Sequence, residues 1–215
     1  MGRPRRVDVA VAARTPRTRW EDEGEHVLEL PGGAARRRRR RDERLTSLRG
    51  FSAAHGWAVE AALPGVVTRH PVPRLLEAGQ AAPDLVVGGP WQGRRAQLAS
   101  VLVRPEPARL PRGHRPDDVV LLAALEVPPV HGRYVGVVTA SGLDVTGSSP
   151  ELVAACGPAV GRAVAAGVLL EGDCVALGEL SLAVAGPWRA GLGRAEGVTA
   201  WLDLLAVVAE RVLAP

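Results

Sequence analysis

Gly191-x-Gly193-x-x-x-Gly197, just ahead of the last apolar stretch, could bring backbone amides close to a phosphate at a helix N-terminus. A dinucleotide fold needs a further strand with an acidic residue about 20 positions on. The sequence stops after that helical stretch, so a turn into the helix accounts better for the glycines, and no cofactor is expected. The five histidines, His26, His55, His70, His114 and His131, form no HxH, HxxxH or HExxH pair, so local spacing points to no metal site. Ser148-Ser149 lacks the GxSxG context of a nucleophile elbow and fits a helix cap instead. Asp117-Asp118 fits the polar entry to a strand. Cys156 and Cys174 are too few for a disulfide framework and are not in CxxC spacing; they read as small buried side chains, with a single disulfide between them left open. No catalytic residue is assigned. An enzyme would have to assemble a dispersed site from at least two of His55, His70, His114, His131, Asp117 and Asp118.

The feature with a physical mechanism for binding is a run of six arginines, Arg36, Arg37, Arg38, Arg39, Arg40 and Arg41. Guanidinium groups pair with phosphates of lipid or nucleic acid. No aromatic residue interleaves the run, so base stacking gets no support and nucleic acid ranks below an anionic membrane surface or another protein as partner. Like-charge runs of this length are otherwise solvated and extended.

The charge balance isolates this run. Residues 1–50 hold 14 Arg against 8 acidic residues, and the remainder holds 13 Arg against 15, so the net +4 arises entirely in the first fifty residues. A nucleic-acid-binding module would carry its basic patch on its folded surface. Lys, Ile and Asn are absent, and Met, Phe and Tyr occur once each. That joint depletion is the signature of a GC-rich, actinobacterial type of genome, and it discounts part of the Arg content. No stretch of about 18 uninterrupted apolar residues occurs, and Val7–Ala13 is too short for a secretory signal, so a cytoplasmic location is expected.

The elements that must position these residues fall in two parts. Residues 1–41, rich in Pro, Gly and Arg, are expected to be a disordered tail, with one short strand at 26–30. Residues 42–215 are expected to form a single α+β domain: a mixed, mainly antiparallel sheet packed by about three helices, at 42–56, 149–166 and 196–213. Asp42 reads as the N-cap of the first helix and Gly56 as its C-cap, with Leu45, Leu48, Phe51 and His55 on one face. Trp57–Ala61 leads out as a strand. Leu85–Val87 runs into a Gly-Gly-Pro turn, Ala96–Val103 and Val119–Val127 are further strands, and Pro105–Pro116 is a loop between them. Arg133–Thr139 and Leu143–Thr146 form a hairpin. Ser148 and Glu151 have capping-box spacing ahead of the second helix, which could break at Gly157-Pro158. Val168–Leu170, Cys174–Leu177 and Leu180–Val184 read as short strands. The third helix buries Val198, Trp201, Leu202, Leu205, Val208 and Val212, with Asp203 and Glu210 on its polar side.

Leu48-Arg49-Gly50-Phe51-Ser52-Ala53-Ala54-His55-Gly56-Trp57 resembles the LxxFAAxxGW opening of actinobacterial proteins grouped by a domain of unknown function. The likeness continues in Gly89-Pro90-Trp91-Gln92-Gly93-Arg94-Arg95-Ala96 and in the strand–turn–helix pattern of 178–213. The resemblance implies no activity and no catalytic residues. Members often carry a membrane segment just before the basic run, which favours a membrane-proximal role; here residues 1–35 are polar instead. The sequence is therefore read as a non-enzymatic accessory or interaction domain, peripheral to the inner membrane face through the Arg run. The alternatives are a dispersed-site enzyme and non-specific nucleic-acid binding through the tail.

Overall fold

The computed structural model describes residues 33–60, 80–104, 118–146, 148–188 and 195–214. Its elements, in chain order, are α1 (Gly33–Ala54), β1 (Ala58–Glu60), β2 (Gln80–Trp91), β3 (Arg94–Arg104), β4 (Asp118–Glu126), β5 (Tyr134–Thr139), β6 (Gly142–Val145), α2 (Pro150–Ala165), β7 (Cys174–Leu177), β8 (Ser181–Pro187) and α3 (Ala195–Leu213). Contacts group Met1–Arg41 and Asp42–Pro215 as two compact units. The expected strand at 26–30 and loop at 105–116 lie outside the described residues, as do His26, His70, His114, Asp117, Gly191 and Gly193.

The protein is an α+β fold whose described strands form one eight-stranded sheet, with every pairing antiparallel. The order is β1-β2-β3-β4-β8-β7-β5-β6, so the β7–β8 hairpin is inserted between β4 and β5. Short connections force the antiparallel pairing of β2–β3, β5–β6 and β7–β8, because a parallel crossover needs a dozen or more residues. The β2–β3 turn is the two-residue Gln92-Gly93, both in the left-handed region (φ 46° and 77°), the hairpin geometry that matches strand twist.

Both faces of the sheet are buried, which is why its strands read as near-continuous apolar runs rather than alternations. On one face Val87, Leu98, Leu121, Leu125 and Leu182 pack with Leu48 and Phe51 of α1, Leu152 and Val160 of α2, and Trp201 and Leu205 of α3. On the other face Val86, Ala99, Val101, Leu122 and Ala183 form a second buried cluster. Trp201 is fully buried, and its Nε1 donates to the Val168 carbonyl at 3.2 Å.

Two helices end in the same way. Gly56 (φ 65°) and Gly167 (φ 69°) follow α1 and α2, and each terminus makes the pair of backbone bonds of a Schellman motif: Trp57 N–H to Ser52 and Gly56 N–H to Ala53, then Val168 N–H to Ala163 and Gly167 N–H to Val164.

Several expectations are corrected here. α1 begins at Gly33, so Asp42 lies inside a helix and caps nothing, and Arg36–Arg41 are helical rather than extended. Arginine is a good helix former, and 34–49 contains neither Pro nor Gly to interrupt it. β2 runs through Gly88, Gly89 and Pro90 instead of turning there. The glycines serve close approach: a Cβ on Gly88 would run into the Glu60 carboxylate, and one on Gly89 into the Trp57 indole. Pro90 lies beyond the reach of β1, whose register covers only Val86–Gly88, so its missing N–H disrupts no ladder on that side. β8 likewise continues through Gly186 to Pro187, with Asp173 and Trp201 packed over Gly186. Val168–Leu170 is no strand; its first amides close α2, and Leu170 N–H donates to Asp173 Oδ2. α2 passes Pro158 without a break. Ser149 stands at the N-cap of α2, but no side chain caps the helix: the Ser148 and Ser149 hydroxyls accept from the backbone N–H groups of Val135 (2.9 Å) and Arg133 (3.4 Å) and so tie its start to β5.

Candidate functional site

The arginine run occupies the fourth to ninth residues of α1, immediately ahead of Asp42. At 3.6 residues per turn, six consecutive positions step by about 100° each and encircle the helix axis. They therefore make a cationic collar rather than one basic face opposite an apolar one. Arg38, Arg39 and Arg41 are exposed. Further along the same helix Arg44 is buried and ion-paired, Nη2 to Asp84 Oδ2 at 2.9 Å, with both side chains over 90% buried (4% and 6% exposed). Asp84 reaches it because it is the extra residue of a β-bulge: Pro83 pairs with Val101 and Leu85 with Ser100, leaving Asp84 unmatched. Arg38, Arg39 and Arg41 thus face solvent, while Arg44 is a structural group.

An aromatic cluster gathers where α1 ends against the β2–β3 hairpin. The His55 ring stacks on Phe51 (centroids 4.1 Å apart), Trp57 meets Phe51 edge-on at 5.4 Å, and Trp91 lies 5.5 Å from His55 and 6.2 Å from Trp57. Trp57 Nε1 donates to the Pro90 carbonyl at 3.1 Å. Asp203 of α3 accepts from both Trp91 Nε1 (3.2 Å) and Gln92 Nε2 (2.9 Å). Asp203, expected on the polar side of α3, thus ties that helix to the hairpin tip. Beside this cluster, Glu60 accepts from Arg95 Nη2 at 2.8 Å and from Gln97 Nε2, along a shallow groove of about 350 Å³ lined also by Gly88, Gly89 and Pro90.

The dispersed-site candidates are not brought together among the described residues. His55 is in the aromatic cluster, its Nδ1 2.9 Å from the Phe51 carbonyl, whereas His131 is exposed between β4 and β5, and Asp118 opens β4. Among the described residues no three His, Cys, Asp or Glu side chains gather to hold a metal ion, and no helix is long and apolar enough to cross a membrane. Cys156 and Cys174 are free thiols. The disulfide left open by the sequence is absent because Cys156 belongs to the helix-packed face of the sheet and Cys174 to the opposite one. Burial pushes the Cys156 thiol up to about 11. Burial, and then the neighbouring Cys156 and Cys174, push the Tyr134 hydroxyl up to about 12. Neither group ionises near neutral pH, so neither is a nucleophile there.

The aromatic cluster was missed as a unit. Its members are 40 residues apart in sequence from Phe51 to Trp91, and the local signal was the placing of Phe51 and His55 on one helical face.

No protein-family model matches the chain, and no curated protein matches it. Among solved structures, the crystal structure of the mycobacterial trehalose monomycolate transport factor A, TtfA, aligns with a TM-score of 0.45 and 15% identity, over 74% of this chain and 92% of that one.

Proposed function

We propose that this chain is a non-enzymatic accessory domain that works against an anionic membrane surface, with Arg36–Arg41 as its contact. The observation that carries the reading is the helical collar, with Arg38, Arg39 and Arg41 exposed at the start of α1. A plane touching such a collar meets about half of its members. At about 1 kcal/mol per basic residue beside anionic headgroups, three arginines supply roughly 3 kcal/mol, a weak and reversible attachment. The collar has no apolar side, so attachment comes from charge alone and weakens as salt screens it.

Sedimentation with vesicles tests the proposal. The full-length protein should pellet with phosphatidylcholine vesicles containing phosphatidylglycerol at low salt, should stay in solution with phosphatidylcholine alone, and should be released by added NaCl. A full-length variant with Arg36–Arg41 all replaced by Gln should lose binding. Equal binding to neutral vesicles, or an unaffected Gln variant, overturns the proposal. Tighter binding to duplex DNA than to vesicles at equal phosphate concentration moves the contact to nucleic acid.

A further inference from the structure

The arginine run carries counter-charge of its own. Downstream, Asp42 and Glu43 stand three and four residues beyond Arg38, Arg39 and Arg40, the spacing at which opposite charges meet on a helix. Arg39 and Arg41, though exposed, are already engaged in interactions. Upstream, Glu21, Asp22, Glu23, Glu25 and Glu29 place five carboxylates within nine residues, with no arginine among them. Residues 20–43 therefore hold seven carboxylates against six arginines, and the run lies in a stretch that is net negative. The positive excess of the first fifty residues comes instead from 1–19, with six arginines against Asp8, and from Arg44 and Arg49. The acidic stretch and the run fall in the same compact unit, Met1–Arg41. Glu29 precedes Arg36 by 7 positions and Glu21 precedes it by 15. A connection of that order holds two charge blocks at a millimolar effective concentration about each other. One exposed ion pair shifts an equilibrium by only about 1.5- to 5-fold, so the effect lies in several acting together.

We infer that Glu21, Asp22, Glu23, Glu25 and Glu29 are an intramolecular competitor for the arginine run, which an anionic lipid surface must displace in order to engage Arg36–Arg41. The inference rests on the function proposed above. It gives the attachment a threshold. A surface sparse in anionic headgroups loses to the tethered carboxylates, whereas a dense one offers more phosphates to the run than the acidic stretch can match.

Two full-length variants with equal gains in net charge test this. Glu21→Gln/Asp22→Asn/Glu23→Gln/Glu25→Gln/Glu29→Gln neutralises the acidic stretch. Asp144→Asn/Glu151→Gln/Glu179→Gln/Glu196→Gln/Glu210→Gln removes five exposed carboxylates of residues 42–215 instead. Sedimentation with phosphatidylcholine vesicles of graded phosphatidylglycerol content is run at about 0.1 M NaCl, where charges more than about 10 Å apart are largely screened. The acidic-stretch variant should bind about fivefold or more tighter than the parent and sediment at a lower phosphatidylglycerol fraction, and the second variant should gain less than about twofold. A gain in the acidic-stretch variant no larger than in the second variant overturns the inference, while sedimentation of the parent keeps the membrane reading. A membrane-free measurement separates the two further. Cys156 and Cys174 are buried, so a spin label on the variant Gly24→Cys is confined to the introduced thiol. It should broaden the amide signals of residues 36–41 more at about 10 mM NaCl than at about 1 M, where the screening length falls from about 30 Å to about 3 Å. Broadening that does not change with salt overturns the competitor. Salt-dependent broadening, with no sedimentation of any of the proteins, supports the competitor and overturns the membrane reading.

Discussion

Removing the Asp84 carboxylate should destabilise the domain more than any surface substitution can, because it takes a counter-charge from a buried guanidinium. Arg44 and Asp84 are 4% and 6% exposed and meet at 2.9 Å. Each charge loses several kcal/mol of hydration on burial, and the pair persists because each offsets the cost of the other. Asp84→Ala should therefore cost about 3–5 kcal/mol, as should Arg44→Met, since either breaks a buried ion pair by removing one side of it. In a domain of this size that corresponds to a drop in Tm of about 6–20 °C. The double variant Arg44→Met/Asp84→Leu is the discriminating case. It buries no charge, so it should be more stable than either single variant and within about 2 kcal/mol of the parent. Urea unfolding followed by tryptophan fluorescence gives all four corners of the cycle. A coupling energy of about 3 kcal/mol is expected from buried charges in direct contact. If Asp84→Ala costs less than about 1 kcal/mol and the two changes simply add, the pair is solvated and the account of how α1 is held fails.

Two further outcomes follow from the core. Trp201→Ala should cost about 3–5 kcal/mol through lost transfer energy and a cavity, whereas Asp203→Ala should cost about 1–2 kcal/mol, because it removes the acceptor shared by Trp91 and Gln92; urea midpoints rank them, and equal small effects would mean that α3 does not pack as described. Stability should also fall at alkaline pH. Cys156 and Tyr134 have folded pKa values of about 11 and about 12, above their ordinary 9.0 and 10.0, so their contribution is intact below pH 9 and is lost as pH rises to about 12, with a slope approaching 1.4 kcal/mol per pH unit for each group. Tyr134→Phe should remove part of that slope and cost little at neutral pH, because among the described residues the buried Tyr134 hydroxyl has no hydrogen-bond partner; a pH-independent midpoint between 8 and 11 would contradict the burial of both groups.

How far the sequence carried these conclusions depended on whether a signal was local. The stripe of Val198, Trp201, Leu202, Leu205, Val208 and Val212 is a helical period written in adjacent turns; the first five are buried and Val212, near the end of the helix, is half-buried. Gly56 as a C-cap and the β5–β6 hairpin were legible for the same reason. Gly88-Gly89-Pro90 was misread as a turn because its second glycine answers to a distant side chain, the Trp57 indole over Gly89. Nothing within a few residues of Gly89 announces an indole 32 positions away. The insertion of β7–β8 between β4 and β5 was equally hidden, since it is decided by which apolar faces match across the sheet.

The arginine run shows a different kind of limit, in which two local rules gave opposite answers. Charge repulsion argued for an extended, solvated chain, while arginine's propensity and the absence of Gly and Pro over 34–49 argued for a helix. The helix continues unbroken from Gly33 to Ala54, yet only its later part is supported by burial. Propensity prevailed, and Asp42 and Glu43 stand three and four residues beyond Arg38, Arg39 and Arg40, the spacing at which opposite charges support a helix. The domain's other polar groups are already committed to one another: Asp203 to Trp91 and Gln92, Glu60 to Arg95 and Gln97, Ser148 to β5. Under the function proposed above, an anionic surface makes its contact at the exposed Arg38, Arg39 and Arg41.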